Sequence, residues 1–282
     1  MMIRSKALFG AALVATLCGP ARADDPHAVK ETSLTGPGGM KLTVRMQGPY
    51  DADVPVQVVC YFKHKEAGDT TLGAAVELDR KLGGVIASLR GRGEFAGDEL
   101  ETLLLIPPEG TIKPKALLLI GLGDEKSLSL ERMERVGRVA LREATRLGVE
   151  RVAFAPLIRD QGNSEFGTGD VANAVVRGML LALDTESRLQ KEGLAKAHAI
   201  VEWVCEAGPK YFDETVSAVR KAAKEADSIV AARPSAPYLG GKKETPRRSP
   251  LFDITLPCET SSLVPTLGVG MPSGTLCVRC GE

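Results

Sequence analysis

Four groups of residues in this chain have types and spacings that suit chemistry. Gly121-Leu122-Gly123 follows an apolar run, the place where a glycine turn can cradle a phosphate at a helix start. The dinucleotide fingerprint G-x-G-x-x-G needs a third glycine, and that position holds Lys126. The pair reads instead as a strand-to-helix turn, with glycine supplying a positive φ. Cys277-Val278-Arg279-Cys280 is a C-x-x-C with Cys258 upstream. A structural zinc takes four ligands, usually two such pairs. One pair with no histidine nearby points to a local disulfide or free thiols, and its Pro-rich surroundings do not offer the thioredoxin-like setting of a redox site. His27, His64 and His198 are scattered, with no acid or nucleophile spaced around them, and there is no G-x-S-x-G elbow. Lys242, Lys243, Arg247 and Arg248 read as a solvated linker. No residue is therefore assigned a catalytic, cofactor-binding or metal-binding role, and no cofactor is expected.

Composition narrows the classes further. The 282 residues are 44% hydrophobic and 26% charged, as in an ordinary globular protein. Lys plus Arg equals Asp plus Glu at 36 each, so no net field favours nucleic acid or an anionic membrane. Arg4 and Lys6 precede an apolar stretch at 7–18, and Ala21-Arg22-Ala23 offers a small-x-small cleavage site. This is the pattern of a secretory signal peptide over 1–23, which places the mature protein in the periplasm or outside the cell. No membrane attachment is expected after cleavage, because no later run has the ~20 apolar residues a span needs. Among the remaining cysteines, Cys60 and Cys205 sit in apolar strand-like runs and read as buried small hydrophobes.

The elements that would position any site follow from periodicity. Residues 24–40 are polar and rich in Gly and Pro, a flexible lead. Residues 41–46 alternate apolar and polar, a half-buried strand, and 54–62 form a denser apolar run. Leu78, Leu82, Val85, Ile86 and Leu89 have helical spacing, broken by Gly83-Gly84. A strand at 101–106 ends at Pro107-Pro108. Residues 116–156 then read as strand, glycine turn, helix and strand, one βαβ unit around which the chain is organised. Its helix opens at the Ser129 cap and closes at Gly148. Asp170 is placed to cap a further helix, 198–205 reads as a sixth strand, and a last helix covers 211–232. From Arg233 the prolines and glycines deny any period, so 233–282 reads as a disordered tail. The expectation is one α/β domain over 41–232, with a mixed, mostly parallel sheet of about six strands flanked by helices.

Several of these segments resemble the leucyl aminopeptidase family. They are Leu82-Gly83-Gly84, then Arg92-Gly93-Glu94-Phe95-Ala96-Gly97 and Glu101-Thr102-Leu103-Leu104-Leu105, and Leu118-Leu119-Ile120-Gly121-Leu122-Gly123-Asp124 ahead of Leu130-Glu131-Arg132. The likeness is to the amino-terminal domain of those metalloaminopeptidases and covers roughly 54–232. It implies a macro-domain-like α/β fold. In the family that domain precedes a catalytic domain that binds two metals and removes amino-terminal residues from peptides. The family motifs "KG…FD.GG" and "NTDAEGRL" are not found in this sequence, so no ligand or catalytic residue is carried over. Asp184-Thr185-Glu186-Ser187-Arg188-Leu189 echoes the second motif faintly, lacks its Ala-Glu-Gly core, and reads as an exposed charged loop.

The resemblance implies a stand-alone, non-catalytic relative that acts in binding or assembly. Its partners would be a second copy, a peptidase subunit, or a small ligand at the carboxyl ends of the strands. Two alternatives stand beside it. One is a truncated or frameshifted metalloaminopeptidase; the other is a macro-like binder of nucleotide or ADP-ribose.

Overall fold

In the computed structural model, residues 29–239 are described. The two densest apolar runs become β3 (Val56–Tyr61) and β5 (Ala116–Gly121), buried along their whole length. Such strands need cover on both faces, which parallel sheets with helical crossovers provide. The chain reads β1 (Glu31–Thr35), β2 (Lys41–Arg45), β3, α1 (Gly73–Lys81), α2 (Val85–Gly91), β4 (Thr102–Leu105), β5, α3 (Leu130–Leu147), β6 (Arg151–Ala155), α4 (Thr168–Lys191), β7 (Glu202–Glu206) and α5 (Phe212–Ala231). One sheet forms in the order β1-β2-β7-β6-β3-β5-β4. Its five inner strands are parallel, and β1 and β4 run antiparallel at the two edges.

The sheet is a middle layer. Val56, Val58, Cys60, Leu118, Ile120, Phe154 and Trp203 face α3, α4 and α5. Val59, Tyr61, Leu117, Leu119 and Ala155 face α1 and α2. Trp203 is fully buried and stacks on Phe154 at 5.8 Å between ring centroids. Helix α3 keeps the boundaries its sequence announces: Ser129 Oγ accepts from the Arg132 N–H, and Gly148 closes the helix at φ 67°. The Gly83-Gly84 break separates α1 from α2 as its spacing implies, both glycines standing at positive φ.

Five features depart from the sequence reading. The sheet has seven strands, and the added one, β1, lies in the segment read as a flexible lead. Leu34 is its only large apolar residue, so pairing with β2 holds it rather than a core face. The Glu31–Arg45 ion pair and the Ser33–Thr43 hydroxyl contact reinforce that pairing.

Second, β5 and β6 are parallel but not neighbours, because β3 lies between them and pairs with both. A crossover's length and period require a parallel return and leave the return position open. Third, α4 starts at Thr168 with Gly167 as its cap, so Asp170 sits in the first turn and is not the cap. Fourth, 184–189 is not a loop but part of α4, where Asp184 pairs with Arg188 and Arg233.

Fifth, 233–239 follows α4 in bonded contact. Arg233 donates to the Leu181 carbonyl and Asp184, Pro234 O accepts from Arg188, and the Tyr238 and Leu239 N–H groups donate to Glu192. The segment 1–23 read as a signal peptide, His27, Lys242 to Arg248 and the cysteines Cys258, Cys277 and Cys280 lie outside the described residues.

Candidate ligand-binding cavity

The carboxyl ends of β2, β6 and β7 open on one cavity of about 690 Å³. Parallel strands deliver their following loops to the same end of a sheet, which is why ligands gather there in open α/β folds. Each of the three strands contributes its exit: Met46 to Pro49 after β2, Ala155 to Asp160 after β6, and Glu206 to Pro209 after β7. The first turns of α1 and α4 complete the wall through Leu72, Gly73, Ala74, Thr168 and Val171. Apolar groups dominate the lining, among them Pro49, Leu72, Leu157, Ile158 and Phe166.

Three charged side chains lie in this wall, and two of them are already committed. Arg159 donates to Thr168 Oγ1 at 2.9 Å and to the Phe166 carbonyl at 3.1 Å, with its guanidinium 5.1 Å over the Tyr211 ring. Asp160 accepts the Ala74 N–H at 2.8 Å and caps α1, while its own carbonyl accepts from Leu72 N–H. Burial pushes the Asp160 carboxyl above its ordinary range, against the pull of the backbone N–H groups. A side chain at Gly73 would meet Asp160 Oδ1 at 2.4 Å, so the close cap requires glycine.

Glu206 is different. Its Oε2 accepts from Gln57 Nε2 at 3.0 Å, and its Oε1 is closed off from solvent without a partner. Burial pushes this carboxyl up to about 8, only partly offset by Gln57 and the charge of Arg45. The N-terminus of α4 is also taken, since Glu214 Oε1 accepts the Gly169 N–H at 2.6 Å. Both helix N-termini bordering the cavity thus carry a carboxylate where an anion would otherwise dock.

The residues singled out from sequence fall elsewhere. Gly121-Leu122-Gly123 is filled by protein: a Cβ at Gly121 would lie 1.9 Å from the Asp98 carbonyl, and Gly123 N–H donates to Gly97 O. Only Gly123 of the two stands at positive φ; Gly121 is required by close backbone approach. Arg132 braces the turn from behind, donating to the Leu122 and Asp124 carbonyls and pairing with Glu99.

His64 does have an acid at hand, Asp69 at 3.0 Å, which Arg90 also binds at 2.6 Å. Its separation of five residues was the overlooked signal. His198 precedes β7 rather than starting it, and meets Ser187 Oγ at 3.1 Å beside a second cavity of about 470 Å³. Cys60 and Cys205 are buried and unbridged. Sequence reasoning missed Arg159, Asp160, Glu206 and Tyr211. The available signal was charge placed just past the apolar runs of β6 and β7. Among the described residues, no three His, Cys, Asp or Glu side chains are grouped to hold a metal. No helix there is long and apolar enough to cross a membrane.

The fold is a single-sheet α/β domain with a cavity at the carboxyl ends of its parallel strands. Comparison with known proteins supplies the family. Residues 58–193 match the cytosol aminopeptidase family, N-terminal domain. A probable cytosol aminopeptidase of Persephonella marina is 28% identical over 143 residues, which are 50% of this chain and 27% of that protein. A counterpart from Thermosynechococcus vestitus is 29% identical over 159 residues, covering 55% and 30%. Over residues 58–193 the chain is therefore similar to the amino-terminal domain of that family, and it spans less than a third of the length of these two relatives.

Among solved structures, a tomato leucine aminopeptidase mutant aligns at TM-score 0.48 and 16% identity, over 67% of this chain and 35% of that one. An Oceanobacillus iheyensis macrodomain with ADP aligns at TM-score 0.49 and 8% identity, over 70% and 99%.

Proposed function

We propose that this chain is a binding module, working without peptidase chemistry of its own and taking a small ligand at the carboxyl ends of its parallel strands. The observation that carries this reading is the apolar cavity of about 690 Å³, with few polar groups converging on it. Small-molecule sites have this size and character. Export to the periplasm or beyond the cell is part of the proposal and rests on Arg4, Lys6, the apolar stretch at 7–18 and Ala21-Arg22-Ala23. Assembly with a peptidase subunit or a second copy is its companion role.

The test is a small-fragment titration followed by ¹H–¹⁵N NMR on the full chain. Shifts clustered at Leu72, Asp160, Thr168 and Gly208 are expected. A fragment set that moves no cavity amide would overturn the reading.

The family match supports a second reading, a metalloaminopeptidase. Leucine p-nitroanilide with added Mn²⁺ or Zn²⁺ tests it; no turnover is expected, and chelator-sensitive turnover would favour the peptidase. For ADP-ribose the carboxylates of Asp160 and Glu214 at the two helix N-termini oppose a pyrophosphate. Calorimetry with ADP-ribose is expected to give no heat.

A further inference from the structure

We infer that the cavity takes a carboxylate carried on a compact apolar body, with the Arg159 guanidinium as its counter-charge. This rests on the binding reading above and names the chemistry of its ligand.

The inference starts from an arginine that is held in place but not neutralised. A guanidinium has five N–H donors in a planar fork. Arg159 uses two of them, through Nε on Thr168 Oγ1 and through Nη2 on the Phe166 carbonyl. Both acceptors are uncharged. The group also lies 5.1 Å over the Tyr211 ring, so two hydrogen bonds and an aromatic face fix its orientation. Among the described residues, every other buried or half-buried arginine meets a carboxylate, Arg45, Arg90, Arg132 and Arg177 among them. Arg159 alone does not. Its Nη1 has no protein acceptor there, yet packing does not close that atom off from solvent, and the residue lines the cavity wall.

A cation drawn partly out of water without a counter-charge is costly, and an anion that meets it recovers that cost. The flat carboxylate matches the fork of donors that remain. An ammonium would instead add a further cation beside Arg159 and Lys210, whose Nζ lies 5.5 Å from the same Tyr211 ring. A doubly charged phosphate group would call on the N–H groups that start α1 and α4, and Asp160 and Glu214 already take those. One carboxylate needs only the guanidinium. Burial keeps Glu206 mostly protonated near neutrality, so it sets little charge against the anion. Leu72, Leu157, Ile158 and Phe166 suit a hydrocarbon or aromatic body.

Three probes of one shape decide the matter: 4-phenylbutanoate, 4-phenylbutanol and 4-phenylbutylamine, titrated into the full chain by calorimetry and NMR. The carboxylate is expected to bind at least about tenfold more tightly than the alcohol or the amine, and to shift the Arg159 Nε–H resonance. In Arg159→Met, which keeps an unbranched stem and removes the charge, the carboxylate should lose about tenfold in affinity while the alcohol binds unchanged. An arginine that merely ties 158–168 together would, when removed, weaken alcohol and carboxylate alike, and that result would overturn the inference. So would a carboxylate that binds wild type no more tightly than the alcohol or the amine, a comparison that stands even if the variant does not fold. If other fragments move cavity amides while the carboxylate does not, this inference fails and the binding reading survives. If nothing binds, both fail.

Discussion

Gln161 pairs with the end of β3, next to Cys60, as a side chain standing in for a strand. β6 accompanies β3 only as far as Val59. Beyond it, Gln161 Nε2 donates to the Cys60 carbonyl at 2.9 Å and Gln161 Oε1 accepts the Phe62 N–H at 2.8 Å. A third bond, to the Leu157 carbonyl, ties the same amide to the loop that walls the cavity. The side chain is buried, so nothing else can satisfy these backbone groups.

Replacing Gln161 by Leu keeps the volume and removes all three bonds. Buried backbone groups left without partners cost about 1–3 kcal/mol each at the outset, and relaxation recovers part of that. We expect a loss of about 3 kcal/mol, read from the urea midpoint at unchanged slope. A change under about 0.5 kcal/mol would show that water replaces the amide.

Helices α3 and α4 cross where two glycines face the other backbone. A Cβ at Gly178 would meet the Glu134 carbonyl at 1.9 Å, and one at Gly137 would meet the Val175 carbonyl at 2.1 Å. Alanine raises helix propensity by about 1 kcal/mol. Overpacking against rigid backbone costs more, about 1–3 kcal/mol or above. Gly178→Ala should therefore destabilise by about 2 kcal/mol in thermal or urea unfolding. Gly91→Ala on α2, where nothing lies within 4 Å of the added carbon, should be neutral or stabilising. Equal behaviour of the two variants would deny the close crossing.

The raised carboxyl of Glu206 makes stability depend on pH. Its folded value, about 8, lies above the ordinary glutamate value of about 4.3. The native state therefore holds its proton more tightly than the unfolded chain. The contribution is complete below about pH 4.3, declines as pH rises toward 8, and is gone above it. Unfolding curves across that window should show wild-type stability falling relative to Glu206→Gln, with the variant the more stable at pH 9. Parallel profiles for the two proteins would sink this assignment.

Asp69 gives the opposite sign. Burial pushes its carboxyl up, but Arg90 and His64 outweigh that and hold it near 2. Its contribution is present above about pH 4 and lost as pH falls through 2. Asp69→Asn should flatten the acid limb of the stability profile while leaving the alkaline side in place. An unchanged acid limb would mean the Arg90 contact contributes nothing measurable.

Burial also governs the two described thiols. It pushes Cys205 up to about 12 and Cys60 higher still, so neither presents a thiolate at neutral pH. Residue-resolved mass spectrometry after iodoacetamide should find both labelled only at the rate of global unfolding. Rapid labelling of either in the native protein would contradict the packing around it.

What the sequence determined by itself was local. Dense apolar runs marked β3 and β5, because strands buried on both faces admit few polar side chains, Gln57 being the one in β3. Ser129 and Gly148 bounded α3, because a cap hydroxyl and a left-handed closing residue act within a few residues of chain. The turn and strand motifs also carried the family. Tertiary structure alone decided which strands are neighbours, since a helical crossover of given length returns equally well beside β5 or one place over. It turned the polar segment of β1 into a strand through pairing with β2 rather than through a hydrophobic face. It also chose between the two glycine requirements at the turn, a positive φ at Gly123 and close backbone approach at Gly121. The cavity belongs to the same category. Glu206, Asp160 and Leu72 are far apart in the chain, and they meet only because five parallel strands end on one side of the sheet.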